Sequence, residues 1–274
     1  MSTPTAQLLR RRLAAIAAGA AAAALLATAS PAAAQGRAPA SSPGAARAVS
    51  GGTWGTAIEV PGTAALNTVG LAYTSAVSCA SAGNCSAGGH YTDGAAFSSV
   101  FVASQVNGRW GTAKEVPGIA ALNTGGFADI YSASCASAGN CSAGGFYIDS
   151  SGHNQAFVVS QVNGRWGTAK EVPGTAALNT GGNAQIDSVS CRSAGNCSAG
   201  GFYRDSTSRF QAFVVSQVNG KWGTAREVPG TATLNTGGDA QINSVSCGSA
   251  GNCSAGGNYT DSSGHQQVFV DSER

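Results

Sequence analysis

Short runs of small, apolar and β-branched residues recur along most of this chain, and Gly-, Asn- and Pro-containing turns separate the runs. Runs of this kind between turn signals read as strands. The stretch 184–230 shows the unit most clearly. Ala184 to Cys191 reads as a first strand, and Cys197 to Asp205 returns as a second after Arg192-Ser193-Ala194-Gly195-Asn196. Gln211 to Val218 is β-branched and apolar enough for a third. Asn219-Gly220 then turns the chain into Lys221 to Val228, a predicted fourth strand that Pro229-Gly230 stops. Asn-Gly suits such a hairpin because both residues tolerate the positive φ of a type I′ turn. No segment of the mature region holds an apolar period of 3.6, so almost no helix is expected.

The unit occurs four times without insertion or deletion. Trp54, Trp110, Trp166 and Trp222 are the only tryptophans, each 56 residues after the last, and each opens Trp-Gly-Thr-Ala-x-Glu-Val-Pro-Gly. A fixed period of this length signals a solenoid, a propeller or an array. Four antiparallel strands repeated radially make the propeller blade. The ends favour a closed ring: the repeat region opens on a lone fourth strand, Thr53 to Val60, and ends on a third strand, Gln267 to Ser272. The expectation is therefore an all-β, four-bladed β-propeller, closed where the N-terminal strand completes the last blade and leaves no free edge. A β-solenoid and half of an eight-bladed dimer are the alternatives.

Composition adds a compartment. Arg10, Arg11 and Arg12 precede an apolar stretch, Leu13 to Ala29, and small residues with possible cleavage points after Ala29 or Ala34. A basic head, an apolar middle and an Ala-x-Ala site predict an export signal over 1–34, by the general or the twin-arginine route. Residues 35–50, rich in Ala, Pro and Ser, read as a flexible leader, and 51–274 as the propeller. No membrane insertion is expected after cleavage. The whole chain has 15 basic and 13 acidic residues, and without 1–34 the balance is 12 to 13, a net charge of −1. That leaves no basic stripe for a phosphate backbone, which argues against nucleic acid. The eight cysteines fall as Cys79/Cys85, Cys135/Cys141, Cys191/Cys197 and Cys247/Cys253. An even count in an exported chain predicts disulfides rather than zinc, since no histidine recurs beside them.

The phrases Ser-Val-Ser-Cys-x-Ser-Ala-Gly-Asn-Cys-Ser-Ala-Gly-Gly and Ser-Gln-Val-Asn-Gly-Arg-Trp resemble repeats of secreted actinobacterial proteins, which are related loosely to sialidase-type Asp-box propellers. The resemblance covers 51–274 and implies a propeller fold. It departs from the Asp-box pattern, because Ser160-Gln161-Val162-Asn163-Gly164-Arg165-Trp166 has adjacent Asn-Gly and no Asp.

Catalysis needs unlike groups at one point, whereas most ionisable groups here recur once per blade. Glu59, Glu115, Glu171 and Glu227 share one place in the fourth strand and read as solvated charges, since glycoside hydrolysis needs two carboxylates roughly 5–10 Å apart. No catalytic residue, metal site or cofactor is assigned. The tryptophans are expected to pack between blades. The Tyr-x-Asp copies, Tyr91/Asp93, Tyr147/Asp149, Tyr203/Asp205 and Tyr259/Asp261, are the candidate ligand-binding residues. An aromatic face beside a carboxylate suits sugar recognition. The same residues can instead pack and start turns.

The chain supplies its own comparison of copies. The loop between second and third strands varies, with Phe97, His153, Arg209 and His265 at one position. So does the start of the first strand, at Leu71, Phe127, Asn183 and Asp239. Both sets share one end of a blade, and loops on a rigid scaffold commonly carry function. The expected function is a secreted, non-catalytic, lectin-like module that binds glycan or cell-wall polymer through several weak sites. An extracellular structural or adhesion protein and a sialidase-like hydrolase are the alternatives.

Overall fold

The computed structural model describes residues 52–94 and 97–273. The predicted export signal and leader lie outside these residues. The protein is all-β, built of four antiparallel sheets repeated as blades. In the third blade Ala184–Ser193, Asn196–Arg204 and Phe210–Val218 pair in chain order. The outer strand is interrupted. Lys221–Trp222 continues the Asn-Gly hairpin, and Arg226–Glu227 pairs with Phe213 and Val214. Asn219 (φ 49°) and Gly220 (φ 80°) take the left-handed backbone that the hairpin demands. After each Pro-Gly comes one helical turn instead of irregular chain, as at Thr175–Leu178. Thr175 Oγ1 donates to Val172 O at 2.7 Å, and Asn179 Nδ2 donates to Asn154 O at 2.9 Å. The last three turns thereby tie their own blade's outer strand to the start of its third strand, through Asn123, Asn179 and Asn235.

All four disulfides form, and each staples the first hairpin directly across its ladder: Cys79–Cys85, Cys135–Cys141, Cys191–Cys197 and Cys247–Cys253. Closing so short a loop contributes about 2 kcal/mol apiece. The serine-rich phrases have a matching purpose. First strands of successive blades lie side by side, and Ser Oγ atoms of one accept backbone N–H groups of the next, as Ser132 does from Val189 and Ser134 from Cys191, both at 2.9 Å. Larger side chains would force these strands apart, which accounts for the small-residue composition.

The core lies between blades. One cluster joins Ala156, Val158 and Val172 of the second blade to Ala184, Ile186 and Val189 of the third. Trp166 and Trp222 pack at such junctions as expected, their Nε1 atoms donating to Ser104 Oγ and Ser160 Oγ of the preceding blade. The ends differ from the interior. The fourth sheet has three strands, ending with Gln266–Ser272. Residues 53–60, expected as the strand that completes it, have no ladder pairing and no regular secondary structure. Val60 packs instead against the first blade's Phe101 and Ala113, which holds the end of that segment beside the first blade.

Candidate functional site

Every first strand carries a β-bulge at the same point, between Thr74 and Ala76, Ile130 and Ser132, Ile186 and Ser188, and Ile242 and Ser244. The backbones approach so closely that a Cβ on Gly145 would lie 1.9 Å from Asp129 O, so glycine is required there. A bulge re-aims side chains and recurs beside functional sites. Here the extra residue is Ser75, Tyr131, Asp187 or Asn243. With the neighbouring positions it forms a strip across the starts of the four first strands. The variable loops border this strip: Ser98 bridges to Phe127, Asn154 to Asn183 and Phe210 to Asp239. The two variable sets therefore do share one face.

The strip changes character from end to end. Over the first two blades it is aromatic. Ring centroids run from Tyr73 to His90 (5.1 Å), Phe127 (5.8 Å), Phe146 (5.6 Å) and Tyr131 (5.6 Å). His90 and Phe146 are buried beneath, while Tyr73, Phe127 and Tyr131 are 55%, 38% and 38% exposed. Asp129 sits among them, with Oδ1 3.1 Å from His90 Nδ1 and accepting from Ser75 Oγ at 3.3 Å. Over the last two blades the bulge and the positions beside it in the first strand are amide and carboxyl, with one remaining ring in the third blade, Phe202, edge-on to Phe210 at 5.2 Å. Gln185 Nε2 donates to Asp187 Oδ1, Gln241 Nε2 to Asn243 Oδ1 and Asn243 Nδ2 to Asn258 Oδ1.

Asp187 is the most perturbed carboxyl. Desolvation pushes it up to about 6, against a smaller downward pull from the Gln185 hydrogen bond. Its Oδ2 is buried without a hydrogen-bond partner among the described residues. Tyr131 is raised by burial first and then by the negative charges of Asp129 and Asp187, which places the three groups in one electrostatic neighbourhood.

The Tyr-x-Asp residues belong to the framework around this strip. Tyr91, Tyr147 and Tyr203 are buried, and their hydroxyls donate to Glu115 (2.6 Å), Glu171 (3.2 Å) and Glu227 (3.0 Å) of the outer strand. Burial, with those carboxylates beside them, pushes all three phenols well above the ordinary tyrosine range. These three glutamates are accordingly tyrosine acceptors rather than solvated charges. Tyr259 is half-buried against Phe269. The aspartates organise the variable loops. Asp149 Oδ1 accepts the Ser151 and His153 N–H groups, and Oδ2 accepts from Gln155; Asp205 and Asp261 repeat the arrangement with Gln211 and Gln267. Asp93 accepts the Phe97 N–H. For Asp205, desolvation is the largest single effect and acts upward, but the hydrogen bonds from Gln211, Thr207 and Arg209 outweigh it and hold the carboxyl at about 2.

The loop arginines are engaged locally. Arg204 Nε donates to Ser208 O with its guanidinium over Phe210, and the Arg209 side chain lies against Gly238. Sequence reasoning found the variable face and missed the bulge, although the differing residues at 75, 131, 187 and 243 were its signal.

No family model matches this chain, and no curated protein is similar to it. Among solved structures it is similar to a subtype N11 neuraminidase-like protein of A/flat-faced bat/Peru/033/2010 (H18N11), at 16% identity and a TM-score of 0.37. That match covers 73% of this chain and 54% of the viral one, so the chain spans about half the length of that protein. A likeness at this level carries no argument about function.

Proposed function

We propose that the protein is a non-catalytic binding module that holds one extended glycan or cell-wall polymer across the starts of its four first strands. The observation that carries this reading is the strip itself. Its aromatic half offers ring faces for stacking on sugar rings, and its polar half offers amides and a carboxylate for hydroxyls. The blade bodies repeat almost unchanged while the bulge residue and the residue that enters the first strand differ in every copy. Distinct subsites along one ligand account for that better than four copies of one small-ligand site. The Asp-built loops would form the rim, with His153, Arg209 and His265 as further contacts. The compartment is inferred to be extracellular. Four disulfides require an oxidising environment, and no helix among the described residues is long and apolar enough to cross a membrane. A glycan array probed with the purified chain should give a restricted set of extended ligands. Tyr131→Ala and Asp187→Ala should each weaken those hits at least about tenfold, while Tyr147→Phe leaves them in place. A blank array overturns the reading.

One observation favours a second reading. A carboxyl held at about 6 whose charge is felt by Tyr131 is a suitable proton donor for glycoside cleavage. Hydrolysis of fluorogenic glycosides near pH 5 that vanishes in Asp187→Asn would establish it in place of simple binding.

A further inference from the structure

Each interior junction in this array has two halves, and among the described residues both halves persist at the ends largely uncovered. The third strand of one blade presents valines to the next blade, where Val102 and Val158 are 2% and 1% exposed. The equivalent residue of the last blade, Val270, is 86% exposed. On the receiving side, Val189 and Val245 are 6% and 8% exposed, whereas their first-blade equivalent Val77 is 60% exposed. An open repeat array would carry polar outer faces on its terminal repeats.

The tryptophans identify what is missing. Trp166 and Trp222 donate to Ser104 and Ser160. Ser216 stands at the same place one blade further on, and beside it opens a groove of about 290 Å³, lined by Val214, Arg226, Pro229 and Asp271. The tryptophan of the matching register is Trp54, which is fully exposed and begins the same Trp-Gly-Thr-Ala-x-Glu-Val phrase. The segment that follows it is held on the first blade. Ala113 N donates to Pro61 O at 2.7 Å, as Ala169 does to Pro117 and Ala225 to Pro173. Val60 therefore occupies the place of the outer strand of a blade preceding the first.

We propose that residues 53–60 of one copy supply the outer strand of a second copy's fourth blade, with Trp54 in the groove beside Ser216. Because the two surfaces differ, the contact is head-to-tail, and such contacts either close into a ring or run on as a filament. Propellers hold four to eight blades, so two copies close the ring at eight. The occupant is a second copy rather than this chain's own segment, because in the single copy Val77 of the first blade and Val270 of the fourth are both uncovered. Thr74 stands where the later blades have Ile130, Ile186 and Ile242. That makes the receiving half less apolar than an interior junction, so the dimer dissociates on dilution. The proposal does not depend on the glycan reading.

Sedimentation of the purified full-length chain over a dilution series tests it. The expected result is a dimer whose dissociation constant rises at least about a hundredfold in Trp54→Ala and in Val270→Lys. Both side chains are exposed in the single copy, so the variants should melt as folded monomers. Val106→Lys, at another exposed valine (59%), should leave the mass unchanged. A monomer at every concentration overturns the proposal, as does a dimer indifferent to both substitutions. A monomer whose Trp54 emission is shielded, read as the difference from Trp54→Phe, assigns the groove to the chain's own segment and overturns it equally.

Discussion

Within a single strand, Ile186 and Asp187 are neighbours with opposite duties. Ile186 is fully buried at a junction between blades and nests against Gly144, and its counterparts Ile130 and Ile242 are buried in the same way. Asp187 is set aside by the bulge, and its counterparts are a serine, a tyrosine and an asparagine. The blade body therefore repeats because each junction must accept the next copy of itself, and a change on one side would have to be matched on the other. The strip across the strand starts makes such contacts in its aromatic half, where Asp129 meets His90 and Ser75 of the preceding blade, but it need not accept a copy of itself, so its chemistry differs from blade to blade. The comparison separates residues that hold the array together from residues open to the proposed ligand.

Substitutions can break that division, and the largest effect should come from the junctions. Ile186→Ala leaves a cavity between the second and third blades and should cost about 3 kcal/mol in chemical denaturation, with glycan specificity unchanged. A change in specificity without loss of stability would break the comparison. Removing one staple as the pair Cys191→Ser and Cys197→Ser should cost about 2 kcal/mol. Again the loss should appear in stability alone.

Asp187 should behave in the opposite sense. Its carboxyl is raised from the ordinary range to about 6 in the folded chain, so the folded state binds the extra proton between about pH 4 and 6. Stability attributable to this group is thus greatest below that window and falls as pH rises through it. Asp187→Asn should flatten the slope and make the protein more stable at pH 7, by roughly 1–3 kcal/mol, while weakening the ligand. Stability profiles of both proteins from pH 4 to 7 check the sign. The smallest effect belongs to Tyr147→Phe, which leaves Glu171 without its phenol donor and should cost about 1 kcal/mol.

Much of the fold was legible in the chain because its determinants are local. Asn219-Gly220 specifies its own hairpin, and Cys191 and Cys197 lie close enough that the turn between them makes them neighbours. The break in the outer strand was not legible, because only the ladder to Phe213 and Val214 shows where pairing resumes. The pairing of Tyr203 with Glu227 escaped for a similar reason, since the two meet across three strands of a sheet. At the site, the varying positions marked the face, but Tyr73, His90, Phe127, Phe146 and Tyr131 lie far apart in sequence and become one row of rings only when the first two blades stand side by side.

The sequence by itself determined the repeat, the short β-branched runs that make it β, the staples and the turns, because each is written within a few residues and copied four times. Tertiary structure decided which side chains the bulge turns out of the blade, which tyrosines are buried under a glutamate, and that both ends of the array keep junction surfaces uncovered. Those outcomes depend on one blade meeting another, and burial is settled only where such surfaces meet.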